Sequence, residues 1–186
     1  MFKQARLLGV FFVTVFAAAV LVVPNSAYAA TAAEINRDVD SALKDLYKKT
    51  PVAKELSRVA KGLLVFPNIE KAGLIIGGQY GEGALRVHGK TVGYYSSVAA
   101  SYGLQAGVQS FGYALFFMTN SALEYLKNSE GWEIGTGPSL VVVDEGMAGS
   151  LTTTMAQSDI YAFFFDQKGL MAGVGIQGSK ITKISK

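Results

Sequence analysis

The sequence contains no cysteine and only one histidine, His88, among its 186 residues. Without cysteine there is no disulfide framework, no thiolate nucleophile, no cysteine zinc site and no thiol for lipid attachment. A histidine-dependent triad would have to be built on His88 alone, which lies in a turn-like stretch beside Gly89. Acidic clusters with ligand spacing are missing too. Asp144 and Glu145 are adjacent, so on a strand they would point to opposite faces, and there is no spaced acidic loop of the calcium-binding type. No metal or other cofactor is called for. Proline is scarce, at four residues, whereas glycine reaches 21.

Long uncharged runs are confined to the N-terminus. Lys3 and Arg6 precede LLGVFFVTVFAAAVLVV, Leu7 to Val23, which is followed by helix-breaking Pro24 and by Ala27-Tyr28-Ala29. A positive start, an apolar run and small residues two apart form a signal peptide with its cleavage site. Residues 1–29 are therefore expected to be removed, leaving 30–186 as a single domain of a periplasmic or secreted protein. Two of the basic residues behind the formal net charge of +3 leave with that segment. The remainder is polarised, with acids from Glu124 to Asp166 and then Lys168, Lys180, Lys183 and Lys186.

The stretch GEGALRVHGKT, Gly81 to Thr91, approaches a phosphate-binding loop but breaks its spacing. That loop needs four residues between its first glycine and Gly-Lys-Ser/Thr, so that successive N–H groups curl around the phosphates. Here Ala84 to His88 intervene, one residue too many, and VGYYSSVAASYG follows, which reads as strand where a helix is required. The stretch is instead a hairpin whose tight turn is Val87 to Lys90, centred on His88-Gly89. Nucleotide is not an expected ligand, nor is nucleic acid.

Around it the pattern predicts an α+β domain. Thr31-x-x-Glu34 is a capping box, followed by Ile35, Val39, Ala42, Leu43 and Leu46 at helical spacing. Thr50 caps a second helix, with Pro51 at its first position, Val52, Leu56 and Val59 on one face and Gly62 as its stop. From Leu63 onward, apolar stretches punctuated by glycine predict strands, and a short helix capped by Asn120 interrupts them. Leu140–Val143, Ser150–Ala156, Ile160–Phe165 and Leu170–Ile176 return to strand character, with Asp166–Gly169 as a hairpin loop. Glycines four apart recur at Gly73/Gly77, Gly103/Gly107 and Gly169/Gly173, and bare backbone of this kind permits bending or close approach of a neighbour. The sheet is expected to be mainly antiparallel and strongly curved or barrel-like. LFF, AFFF and LVVV do not alternate, which argues against a membrane-spanning barrel and for strands buried on both faces.

AKGLLVFPNIEKAGLIIGGQYGEGALRV, YGLQAGVQS, LFFMTNSALEYL and DIYAFFFDQKGLMAGVGIQGS, taken in order, resemble the SYLF domain family over about Ala33 to Ser185. The resemblance implies a non-enzymatic domain, mainly antiparallel β with flanking helices, that binds membrane phospholipid. Fungal members of the family also regulate actin. An exported chain has no access to cytosolic actin of its own cell, so the lipid role is the one expected here.

Counting ~100° per residue, the second helix sets Lys54, Arg58 and Lys61 within one arc opposite Val52, Leu56 and Val59, with no acid inside the arc. This arc, supplemented by Lys71, Arg86 and Lys90 near the sheet, is the expected contact with an anionic phospholipid membrane surface, bound peripherally. The alternative reading is an interaction module whose partner is a protein of the cell envelope, and a hydrolase is the more remote one. On the first helix Arg37, Lys44 and Lys48 are flanked by Asp38, Asp40 and Asp45, an ordinary solvated face. Glu82, set between Gly81 and Gly83, is expected to accept hydrogen bonds structurally, and Trp132 and Tyr94-Tyr95 to serve packing. The intact mass of the exported chain should correspond to a start at Ala30; recovery of residues 1–29 still attached in a membrane fraction would contradict the soluble, exported form.

Overall fold

The structure, a computed structural model, describes residues 30–73, 76–102, 107–143, 145–152, 157–169, 176 and 178–186. The predicted signal segment, Gly103 and the stretch 170–175 lie outside the described residues.

Two helices open the described chain. In α1 (Ala32–Lys49) the Thr31 side chain accepts from the Glu34 N–H and Glu34 reaches back to the Thr31 N–H, closing the predicted capping box. Its buried stripe is Ile35, Val39, Ala42 and Leu46. In α2 (Pro51–Val59) proline takes the first turn, where its missing N–H costs nothing, and Val52, Ala53 and Leu56 are buried. The helix stops at Val59 with Ala60 as its cap, and Gly62 already belongs to the first strand.

The strands are β1 (Gly62–Gly73), β2 (Ile76–Val87), β3 (Lys90–Tyr102), β4 (Gly107–Phe117), β5 (Trp132–Glu133), β6 (Leu140–Val143), β7 (Ile160–Gly169) and β8 (Lys180–Ile184). α3 (Asn120–Asn128) follows β4, and α4 (Glu145–Ser150) follows β6. All eight strands form one curled sheet in the order β5-β8-β3-β2-β1-β4-β7-β6. Every pairing is antiparallel except β6 with β7. The expected class, α+β with a strongly curved and mainly antiparallel sheet, is the one observed.

The sheet carries a core on each side. Its concave face gathers Leu64, Phe66, Ile69, Leu85, Phe111, Tyr113, Leu115 and Phe117 with α3 and Trp132. The convex face packs Val65, Ala84, Ala114, Phe116 and Phe163 under α1 and α2. β4 is thus buried without interruption from Phe111 to Phe117, which explains why its sequence does not alternate. Within the concave core the Tyr113 hydroxyl donates to Ser97 Oγ at 2.8 Å, linking β4 to β3, while the Tyr113 ring lies 4.9 Å from that of Phe66.

Bare backbone permits the curl. β1 carries one extra residue relative to both neighbours, between Val65 and Glu70 against β2 and between Phe66 and Ile69 against β4. This bulge presses on β2 where β2 has no side chains: a Cβ at Gly81 would meet the Asn68 carbonyl oxygen, and one at Gly83 would meet the Val65 carbonyl oxygen. Pro67 sits inside the bulge, where a missing N–H breaks no ladder bond.

Several expectations are corrected. Gly73 and Gly77 do not share a strand; they face each other across the β1–β2 hairpin, and Gly73 also pairs with Gly107. Asp166 (φ 52°) is not the start of a hairpin loop but an extra residue in β7, which runs on to Gly169. Thr119, not Asn120, caps α3, because its side chain accepts from the Ala122 N–H. Instead of a strand from Ser150, α4 ends there. β5 and β8 escaped the sequence reading because one is two residues long and the other, Lys-Ile-Thr-Lys-Ile, reads as a basic tail. Trp132 and Tyr95 are core residues as expected, and the Trp132 indole N–H donates to the Thr136 carbonyl at 2.9 Å.

Gly83→Ala should destabilise the domain by about 3 kcal/mol, because a methyl group there displaces backbone. Gly78→Ala meets only the Ala99 carbonyl oxygen at 3.9 Å and should change stability by less than about 1 kcal/mol. Denaturant unfolding of the two variants checks the contrast, and equal stabilities would refute the close-approach account.

Candidate functional site

The β2–β3 turn has left-handed backbone at both central residues, His88 (φ 51°) and Gly89 (φ 77°), as a two-residue hairpin requires. This turn, the start of β1 and the end of α2 meet at one end of the sheet. Between them is a cleft of about 430 Å³ lined by Asp40, Tyr47, Arg58, Leu63, Arg86 and His88, among others. Burial pushes the Tyr47 hydroxyl above its usual range, partly opposed by its hydrogen bond with Ser57.

Arg86 lies beside Leu63 in the ladder, and its guanidinium donates to Asp40 Oδ1 at 2.6 Å and to the Asn36 carbonyl at 3.2 Å. Its side chain is only 12% exposed, and its Nε is buried without a partner among the described residues. Asn36 in turn donates to the Tyr94 hydroxyl at 2.9 Å and accepts from Thr91 Oγ1 at 2.7 Å. These bonds pin α1 over β2 and β3, so Arg86 serves chiefly to hold the helix in place.

The other predicted cations divide. Lys54, Arg58 and Lys61 are exposed along α2 and just beyond it, and Lys90 is exposed beside the turn. Arg58 is held by Glu55 at 2.7 Å, so an acid does reach the arc that helical projection had left free of one. Lys54, Lys61 and Lys90 have no ion pair among the described residues. Exposed pairs such as Arg58–Glu55 contribute well under about 1 kcal/mol, so Arg58 can exchange partners readily.

Lys71 is not with the rest. It lies toward the opposite end of the sheet, 7% exposed, and is directly paired with Gln79 on β2 and Gln109 on β4. The structure therefore puts Arg58 and Arg86 on the cleft at the turn end, with Lys61 next to the start of β1 and Lys90 next to the turn; Lys54 lies one helical turn before Arg58 on α2, and Lys71 is set apart. The row Gln79–Lys71–Gln109 was missed in the sequence, although Gly73 facing Gly77 in a hairpin fixes Lys71 opposite Gln79.

Glu82 is a structural acceptor, as expected. It takes a bond from the Tyr80 hydroxyl at 2.7 Å and pairs with Lys186 at 2.7 Å, both charged side chains being nearly buried. Partial burial, and then the Glu82 bond and charge, push the Tyr80 hydroxyl up to about 12. A further cleft, of about 440 Å³, is walled by Leu46, Val143, Phe163, Phe164 and Phe165, and at its rim Lys49 is tied to Asp166 at 2.7 Å. Among the described residues no cluster of three or more histidine, aspartate or glutamate side chains could hold a metal ion.

The comparisons bear on the C-terminal part of the chain. A search of curated proteins finds no match. The family model described as Ysc84, Las17-binding protein actin regulator, matches residues 98–186, from the second half of β3 through β8. All six predicted cations precede that segment, whereas Gln109 and Ser179 fall within it. The matched segment, together with the curled sheet it helps to build, is consistent with the resemblance to the SYLF domain family.

Proposed function

We propose that the protein is a non-enzymatic, exported domain that docks peripherally on anionic phospholipid membranes through the turn end of its sheet. One observation carries the reading: Lys61 and Lys90, exposed and unpaired among the described residues, flank the end where Arg58, Arg86 and His88 line an open cleft, and exposed, unpaired Lys54 lies one turn before Arg58 on the same helix. A charge held off a surface by flexible side chains is suited to a diffuse anionic partner, because lipid headgroups offer many equivalent oxygens and no fixed geometry. Catalysis would require convergent acid, base or nucleophile, whereas the cleft's one acid, Asp40, is taken up by Arg86, Arg58 is paired with Glu55, and Tyr47 is bonded to Ser57. The family's description names a Las17-binding actin regulator, which supports a role in interaction. For an exported chain that partner surface is the lipid, with an envelope protein as the other candidate of the same non-catalytic kind.

Replacing Lys54, Lys61 and Lys90 together by glutamine should weaken binding to anionic vesicles by roughly two orders of magnitude, at about 1 kcal/mol per charge. Melting should change little, since exposed substitutions usually alter stability by within about 0.5 kcal/mol. Vesicle flotation measures the loss, and added salt should mimic it by screening over about 8 Å at physiological ionic strength. A triple variant that floats like the wild type, or wild-type binding indifferent to headgroup charge, contradicts the reading.

A further inference from the structure

We propose that the concave face of the sheet, at the end away from the turn, holds an anion site built on Lys71, Gln79, Gln109 and Ser179, whose ligand is a phosphate monoester group. The inference is independent of membrane docking at the opposite end.

Register places the four residues together. Lys71 is the direct partner of Gln79 on one side and of Gln109 on the other, so the three side chains emerge in a row on the same face. Ile69 and Phe111, two residues before Lys71 and two after Gln109, both lie in the concave core, which fixes that face as the inner one. Gln79 Nε2 donates to Ser179 Oγ at 2.9 Å, drawing in the segment before β8.

The row is not balanced electrically. Lys71, Gln79, Gln109 and Ser179 are 7%, 6%, 3% and 0% exposed. Lysine is almost never so enclosed without a counter-charge, because an ammonium removed from water is strongly penalised. The same chain treats its other enclosed lysine differently: Lys186, with a side chain 8% exposed, is matched by Glu82 at 2.7 Å. Among the described residues Lys71 has neither an acid nor a hydrogen-bond partner. Beside it Gln109 Oε1 is buried and unpaired, although buried acceptors are nearly always satisfied.

These two deficits specify the ligand. It must accept from an ammonium and also donate to an amide oxygen. A carboxylate or a sulfate only accepts near neutral pH. A phosphate monoester, whose second ionisation falls near pH 6, presents acceptor oxygens together with a P–OH on its singly ionised form. The Ser179 hydroxyl, already accepting from Gln79, has its own proton left to donate to the same group. The group can arrive on a free small phosphate or on a lipid headgroup.

The full chain is melted in chloride, in sulfate and in inorganic phosphate at matched ionic strength, and with vesicles carrying phosphatidic acid. Phosphate near a hundredfold excess over its dissociation constant should raise the melting temperature by about 5 °C, and chloride or sulfate should not. Lys71→Met should abolish the response yet melt no lower than wild type in chloride, since it removes an uncompensated charge; a purely structural lysine would give a lower melting temperature. Gln109→Glu supplies Lys71 with an internal carboxylate, so it should melt higher in chloride and also lose the response, and it serves if Lys71→Met fails to fold. A rise with free phosphate assigns a soluble source, and a rise with phosphatidic acid alone assigns the headgroup. The glutamine variant of Lys54, Lys61 and Lys90 should keep the phosphate response, which separates this site from the membrane reading. A wild type unresponsive to both sources, or a response that survives in the variants, overturns the site.

Discussion

The close approach of β1 to β2 governs the rest of the molecule, because a flat eight-stranded sheet could not enclose the aromatic core that stabilises it. The bulge around Pro67 gives β1 one residue more than either neighbour and so bends it, and Gly81 and Gly83 let its carbonyl oxygens come where a Cβ would stand. Bent in this way, the sheet wraps Phe66, Phe111, Tyr113 and Phe117, each of whose burial contributes about 2–3 kcal/mol. The Tyr113–Ser97 bond then ties non-adjacent strands across the interior.

Curvature also separates two chemical environments. On the convex side α1 and α2 cover the middle of the sheet and bring α2's cations beside the β2–β3 turn, where they remain in water. On the concave side the apolar core gives way to the row of Lys71, Gln79 and Gln109. A hydrated cation and an enclosed one meet different partners. An exposed cation can meet a diffuse anionic surface at little desolvation cost, whereas an enclosed one is penalised unless a counter-charge of defined geometry accompanies it.

Much of this was legible in the sequence, for physical reasons that differ by element. The capping box of α1, Pro51 in α2 and the His88-Gly89 turn are local chemistry, and each formed where its residues required. The two-sided burial of β4 followed from the absence of alternation in its apolar run. Edge strands were harder to see. β8 has a single buried apolar residue, Ile181, between exposed lysines, and only its pairing with β3 makes it a strand. The bulge in β7 was mistaken for a turn because Asp-Gln-Lys-Gly carries turn chemistry that the β4 ladder overrides. Among the candidate residues, helical period relates Lys54 to Arg58 on α2, whereas Lys61 lies beyond the helix end at Val59, where that period no longer applies. Lys71 could not be separated from the other cations without strand register, and the neutralisation of Arg86 by Asp40 depends on how a helix crosses the sheet.

The central claim is that the turn end of the sheet, and not another part of the surface, meets the membrane. Hydrogen exchange of the chain with and without anionic vesicles tests it most directly, since it reports contact by position without altering any residue. The account predicts added protection over α2 and the turn from Val87 to Thr91, with β8 unchanged. Protection confined to Lys180–Lys186, or no vesicle-dependent protection over α2, would contradict it.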